Sequence, residues 1–177
     1  DLFLLHYPEC WKELCGNYNT NETFHDSWRA LEYLLKQGKI RAIGISNFNE
    51  YQLETLIQQA NIIPAVMQNW MDPLHQDLQI RKLCKQYNIF YQSYSTLGTQ
   101  WQSLINPVLN NSTISKIATK HNLTNVKTIL YWALQQNPPV GIIPRSNTLV
   151  HIKDNASIKL NNKLPQEDIN TINNLNK

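Results

Sequence analysis

The chain has 177 residues, 42% of them hydrophobic, enough for one domain with a sizeable core but short of what two would need. Its formal net charge of +3 comes from scattered rather than clustered Lys and Arg, which argues against a nucleic-acid footprint, and no apolar run approaches membrane-spanning length. The three cysteines, Cys10, Cys15 and Cys84, form no even disulfide framework and point to a reducing, cytoplasmic setting.

Residues 1–5, mostly apolar, predict a buried strand that stops at Tyr7-Pro8. Residues 8–26 read as a long polar loop carrying Trp11, Tyr18 and Phe24. Asp26 or Ser27 is placed to cap a helix with Trp28, Leu31, Leu34 and Leu35 on one face, ended by Gly38. A strand over 40–45 follows, then a helix capped by Asn47 or Asn49 with Leu53, Leu56 and Ile57 inward. Next come a strand over 65–68, a helix over 78–85 and a strand over 89–94. Helices over 113–120 and 126–135, a strand over 140–143, and helices over 147–155 and 166–173 complete the chain. Alternating strands and helices are parallel βα units. Without a Gly-rich nucleotide turn they predict a (β/α)8 barrel of the TIM type rather than a doubly wound sheet. About five units are present, so the expectation is a single partial domain over residues 1–177 with the N-terminal strands absent.

Chemistry in such barrels sits where strands end. The residues there are His6, Ser46-Asn47, Gln68-Asn69, Tyr94-Ser95 and Pro144-Arg145-Ser146, each after an apolar run. An imidazole N–H of His6 can donate to a carbonyl oxygen, and Asn47 and Gln68 carry the donor and acceptor that suit a carboxamide. Tyr94 offers a flat face for a nicotinamide ring, and Arg145 a permanent cation whose fork matches phosphate. Ser146-Asn147 can open a helix whose free N–H groups favour an anion, and Asp154 and Asn155 lie one turn on, within reach of an adenine edge.

Other signals are weaker. Cys10 and Cys15 near His6 and His25 lack any metal-ligand spacing, so no metal is expected. His75, His121 and His151 read as surface residues and Cys84 as core. Four Asn-x-Ser/Thr sites are what chance supplies in so Asn-rich a chain. No nucleophile elbow is present.

Several stretches together resemble the aldo-keto reductases. They are His6 within Asp1-Leu-Phe-Leu-Leu-His-Tyr-Pro8, Trp28-Arg-Ala-Leu-Glu32, Gly38-Lys-Ile-Arg-Ala-Ile-Gly-Ile-Ser-Asn-Phe48, Pro64-Ala-Val-Met-Gln68, Ser93-Tyr-Ser-Thr-Leu-Gly98 and Ile143-Pro-Arg-Ser146. The resemblance implies that His6 is the catalytic histidine, that Ser46, Asn47 and Gln68 hold the nicotinamide carboxamide, and that Tyr94 stacks on its ring. It further implies that Ser95, Leu97 and Gly98 follow the pyrophosphate, that Arg145, Ser146, Asn147 and Thr148 surround the 2′-phosphate of NADPH, and that Asp154 and Asn155 meet the adenine. Trp11, on the 8–26 loop, and Trp101 would then contact a small carbonyl substrate.

The family's tetrad also needs Asp, Tyr and Lys from strands before the His strand, and this chain opens at that strand. The expectation is therefore an NADPH-dependent reductase of aldehydes or ketones, present as a partial barrel inactive alone. Its open edges would be covered by self-association or by a second chain. The alternative is a non-catalytic scaffold or cofactor-sensing subunit of a larger assembly. Departures from the family's pattern are Met67, Trp70, Asp72, Thr96 and His151.

Overall fold

A computed structural model describes residues 1–9 and 23–176. Among the described residues the strands are β1 (Leu2–Leu5), β2 (Ala42–Ser46), β3 (Val66–Trp70), β4 (Phe90–Tyr94) and β5 (Val140–Ile142). Helices α1 (Phe24–Lys36), α2 (Glu50–Gln59) and α3 (Leu78–Gln86) alternate with the first four strands. Helices α4 (Ser112–Lys120) and α5 (Asn125–Leu134) precede β5, and α6 (Leu149–Ala156) and α7 (Gln166–Asn173) follow it. The sheet order β1-β2-β3-β4-β5 follows the chain, and the β1–β2 and β2–β3 pairs are parallel. A sequential order is that of a (β/α)8 barrel, whereas a doubly wound sheet reverses direction partway. Five strands of the expected incomplete barrel are thus present among the described residues.

The described residues group into two compact units. The first comprises Asp1–Asn69 and Leu78–Tyr91. Its core joins Ile43 and Ile45 of β2 and Met67 of β3 with Trp28, Leu53, Leu56 and Cys84 from the helices. Central strand β2 is buried on both faces, which explains a run without polar alternation. Gly44 is required there: a Cβ would lie 2.6 Å from both Leu4 Cδ2 and the Val66 carbonyl oxygen.

Helix α1 starts earlier than expected. Thr23 is its N-cap, and Asp26, three residues on, reaches back to accept from the Thr23 N–H at 2.8 Å and its hydroxyl at 2.9 Å. These two bonds, with the Arg29 guanidinium, hold the Asp26 carboxyl down to about 2. Neither Asp26 nor Ser27 is therefore the cap, and the expected 8–26 loop ends by residue 23. Cys10, Trp11, Cys15 and Tyr18 lie outside the described residues. Leu34, expected inward, is exposed, and Glu32 is buried instead. The Glu32 carboxylate accepts from the Asn61 and Ile62 backbone N–H groups at 2.8 Å and from Asn61 Nδ2 at 2.9 Å. Trp28 Nε1 donates to the Ile62 carbonyl at 3.1 Å, so α1 is fastened to the turn before β3 at two points.

The second unit comprises Trp70–Asp77 and Gln92–Lys177. Ile114 and Ile117 of α4, Ile129, Leu130 and Trp132 of α5, and Ile169 and Ile172 of α7 form its core. Lys120 Nζ lies 3.1 Å from both Asp168 carboxylate oxygens, and His121 Nε2 lies 2.6 Å from one of them. Burial pushes the Asp168 carboxyl up, but His121 and Lys120 outweigh it and hold it below its ordinary value. His121 is thus half-buried rather than on the surface. So is His75, which stacks on Trp70 with centroids 4.1 Å apart. Cys84 is buried and His151 exposed, as expected. Helix α6 opens at Leu149 with Thr148 as N-cap, so Ser146 and Asn147 precede the helix they were expected to start. Among the described residues no helix is long and apolar enough to cross a membrane.

Candidate functional site

In the first unit the register sets the ends of β1 and β2 level with Gln68, the middle residue of β3. Leu5 pairs with Ile45, and Ser46 with Gln68, so His6, Ser46-Asn47 and Gln68 fall in one row. The Ser46 hydroxyl donates to the Gln68 carbonyl at 2.7 Å. Asn47 has a left-handed backbone (φ 62°), which Asn tolerates better than most residues. Its Nδ2 donates to the His6 carbonyl at 2.9 Å and to Ser46 Oγ at 3.1 Å. One amide thereby ties the end of β2 to the end of β1.

The left-handed turn is held by a residue that the sequence placed at a strand end but gave no role. Asn69 Oδ1 accepts from the Asn47 backbone N–H at 2.9 Å, and Asn69 Nδ2 donates to the Phe48 carbonyl at 3.1 Å. The expected strand over 65–68 in fact runs on to Trp70, so Gln68 and Asn69 lie inside β3; two consecutive amides within one strand were the signal in the sequence. His6 is exposed, and its ring leans on Tyr7 with centroids 4.3 Å apart. A cavity of about 330 Å³ beside Asn47 is lined by Tyr7, Pro8, Glu9, Asn47, Asn49 and Gln52. Trp11, expected to contact substrate, is outside the described residues.

The second unit carries the remaining candidates in two groups. At the end of β4, Tyr94 is half-buried and leads into a tight turn. Ser95 is left-handed (φ 53°), the Gly98 N–H donates to the Ser95 carbonyl at 2.8 Å, and Gly98 has φ 81°. A Cβ at Gly98 would lie 2.6 Å from Val108 side-chain atoms, so both conformation and space demand glycine. Asn106 Nδ2 donates to the Leu97 carbonyl at 2.8 Å. Thr96, where the family usually has Pro, is buried with its hydroxyl 2.6 Å from Ser93 Oγ, which donates to the Met71 carbonyl at 2.8 Å.

The end of β5 carries Arg145, exposed and in no ion pair among the described residues. The Thr148 N–H donates to Ser146 Oγ at 3.2 Å, while Asn147 and Thr148 are exposed. Asp154 and Asn155 are half-buried in α6, and Asp154 forms an ion pair with Lys127 at 2.9 Å. That pairing draws the Asp154 carboxylate toward α5. Trp101 is half-buried, with its indole N–H committed to Asp72 at 2.8 Å. Burial pushes the Asp72 carboxyl above its ordinary value, against the pull of N–H groups from Leu74, Trp70, Trp101 and His75.

Two sets of side chains are therefore present: an amide-rich row across β1, β2 and β3 in the first unit, and a tight turn after β4 plus an exposed cation after β5 in the second. The family model described as "Aldo/keto reductase family" matches residues 1–177. The glyoxal reductase of Bacillus subtilis (strain 168) is 37% identical over all of this chain and 57% of its own length. The 9,11-endoperoxide prostaglandin H2 reductase of Trypanosoma cruzi is 33% identical over 99% of this chain and 56% of its own length. A crystal structure of a Gox0644 mutant in complex with NADPH superposes with a TM-score of 0.81 at 29% identity, over 100% of this chain and 59% of that one. The chain thus spans a little over half the length of the relatives it matches.

Proposed function

This chain belongs to the aldo/keto reductase family, and on that premise we propose that it forms the cofactor-binding part of an NADPH-dependent reductase of aldehydes or ketones. The observation that carries the reading is the Asn47 clasp, in which the Asn47 amide joins the His6 carbonyl to the Ser46 hydroxyl and that hydroxyl goes on to the Gln68 carbonyl, linking β1, β2 and β3 in one row. Side chains that both donate and accept are what a nicotinamide carboxamide pairs with. Arg145, an exposed cation beside the hydroxyls of Ser146 and Thr148, suits the dianionic 2′-phosphate.

Ser46, Asn47 and Gln68 hold the carboxamide, and Tyr94 supports the ring by stacking. Ser95, Leu97 and Gly98 bring backbone close to the pyrophosphate. Arg145, Ser146, Asn147 and Thr148 take the 2′-phosphate, and Asp154 and Asn155 meet the adenine. NADPH, when bound, supplies the two electrons that reduce the carbonyl carbon. His6 donates to the carbonyl oxygen and fixes its direction. Protonation of that oxygen belongs to the Tyr that the family resemblance places on an earlier strand, a step worth roughly 10²–10⁴-fold.

The test is NADPH oxidation with a reactive aromatic aldehyde, beside cofactor titration by protein fluorescence. Three proteins are compared: the 177-residue chain, its His6→Ala variant, and a form extended through the strands that precede this stretch in the relatives. The expected result is NADPH binding by all three and turnover in the extended form, abolished when His6→Ala is introduced there. An extended form that binds NADPH yet never reduces a carbonyl would refute the reductase reading and favour a cofactor-sensing subunit.

A further inference from the structure

The mechanism above makes no use of Asp72, a fully buried carboxylate in the loop after β3. Four N–H groups converge on it. The backbone N–H groups of Leu74 and His75 reach Oδ1 at 2.7 and 3.1 Å, and the indoles of Trp70 and Trp101 both reach Oδ2 at 2.8 Å. The two indoles pack edge to face at 5.5 Å, and His75 covers the other side of Trp70 at 4.1 Å. Charge-assisted hydrogen bonds of this length, out of water, are among the stronger non-covalent ties a loop can make.

Trp101 connects that carboxylate to the turn after β4. Its backbone N–H donates to the Gly98 carbonyl at 3.3 Å, and its own carbonyl accepts from Ser103 at 2.7 Å. Gln100 Nε2 donates to Ser95 Oγ at 3.2 Å. The turn holds left-handed residues at Ser95 and Gly98; glycine adopts that backbone freely, but at Ser95 it persists only when its surroundings over-determine it. The side chain of Trp101 is thus pinned at the far end of the segment whose near end is Ser95–Gly98.

We propose that Asp72 is a positioning residue for the cofactor: through the Trp101 indole it locks the turn over residues 95–103 in the form that receives the pyrophosphate. The identity of the ligand rests on the reading given under Proposed function; the lock itself does not. A turn already ordered before binding avoids the ordering cost that a mobile one would incur, so the lock appears in cofactor affinity.

The test uses the 177-residue chain and two variants, Asp72→Asn and the milder Trp101→Phe, which keeps the ring and removes only the indole N–H. Amide hydrogen exchange is followed at Gly98, Trp101 and Ser103, with Ile129 and Leu130 of α5 as internal references for global folding. NADPH affinity is measured by fluorescence well below the melting temperature, where a merely structural loss of stability would not alter it. The expected result is faster exchange at the three turn amides, unchanged exchange in α5, and NADPH binding weakened about tenfold, the size of one hydrogen bond to a charged group. Unchanged turn exchange in Trp101→Phe would overturn the proposal. So would faster exchange with unaltered NADPH affinity. Should the unsubstituted chain fail to bind NADPH, the reductase reading falls, and the exchange data alone then support or overturn the lock.

Discussion

Replacing Asn69 with Ala tests how much of the candidate site depends on a residue outside the family's motif. The substitution removes the acceptor for the Asn47 N–H at 2.9 Å and the donor to the Phe48 carbonyl at 3.1 Å. The first loss is cushioned, because the Asn47 N–H also reaches the Gln68 carbonyl at 3.3 Å; an ordinary hydrogen bond is worth about 0.5–1.5 kcal/mol. The second deprives a carbonyl on a buried residue of its donor, at about 1–3 kcal/mol. The expected destabilisation is therefore about 1.5–4.5 kcal/mol, toward the lower end because the first loss is cushioned, measured by urea unfolding. Released from the clamp, Asn47 can leave its left-handed conformation, and its amide then leaves the His6 carbonyl. NADPH affinity should fall with it. Asn49→Ala is the control: it removes the α2 N-cap bond to the Gln52 N–H and should cost about 1 kcal/mol without moving the Asn47 turn. A loss below about 0.5 kcal/mol in Asn69→Ala would refute the account of the clamp. Equal weakening of NADPH binding by the two variants would refute its link to the cofactor.

Arg145→Ala should remove about 1.5–3 kcal/mol of preference for NADPH over NADH, a shift of about 10- to 150-fold in the ratio of dissociation constants; equal weakening of both cofactors would show that Arg145 does not read the 2′-phosphate. Glu32→Gln tests the latch on α1. Burial raises the Glu32 carboxyl, but the Asn61 side chain and the Ile62 and Asn61 N–H groups bring it below its ordinary value near 4.5. A lowered carboxylate stabilises the fold above its unfolded pKa and loses that contribution as pH falls through the folded one, so the advantage of the unsubstituted chain over Glu32→Gln should shrink as pH falls below the ordinary value near 4.5. Gly44→Ala should cost about 1–3 kcal/mol in urea unfolding, because its Cβ would press on the Val66 carbonyl, a backbone atom that moves only with its strand.

The strand–helix alternation was legible in the sequence because local signals carried it. Pro64, Pro139, Gly38 and Asn49 punctuate the chain, and strand β2 reads as an apolar run. Strand ends could be read the same way, since a polar residue after such a run marks where a barrel's mouth begins: His6, Asn47 and Arg145 follow strand termini in the structure, Ser46 and Tyr94 are the last residues of β2 and β4, but Gln68 lies inside β3, which runs on to Trp70. Helix starts were less secure. Asp26 has the composition of a cap but works three residues inside the helix, and Ser146-Asn147 yield that place to Thr148. A cap depends on where the backbone turns, and several neighbouring polar residues satisfy the same local pattern. What only the tertiary structure decided is which polar side chains face one another across long sequence separations. Asn69 meets Asn47 at a distance of 22 residues, Glu32 meets Asn61 at 29, and Asp72 meets Trp101 at 29. Periodicity records which face of an element is buried and carries no information about the partner that makes a buried polar group tolerable. That pairing is set by strand register and loop path, which exist only once the sheet has formed.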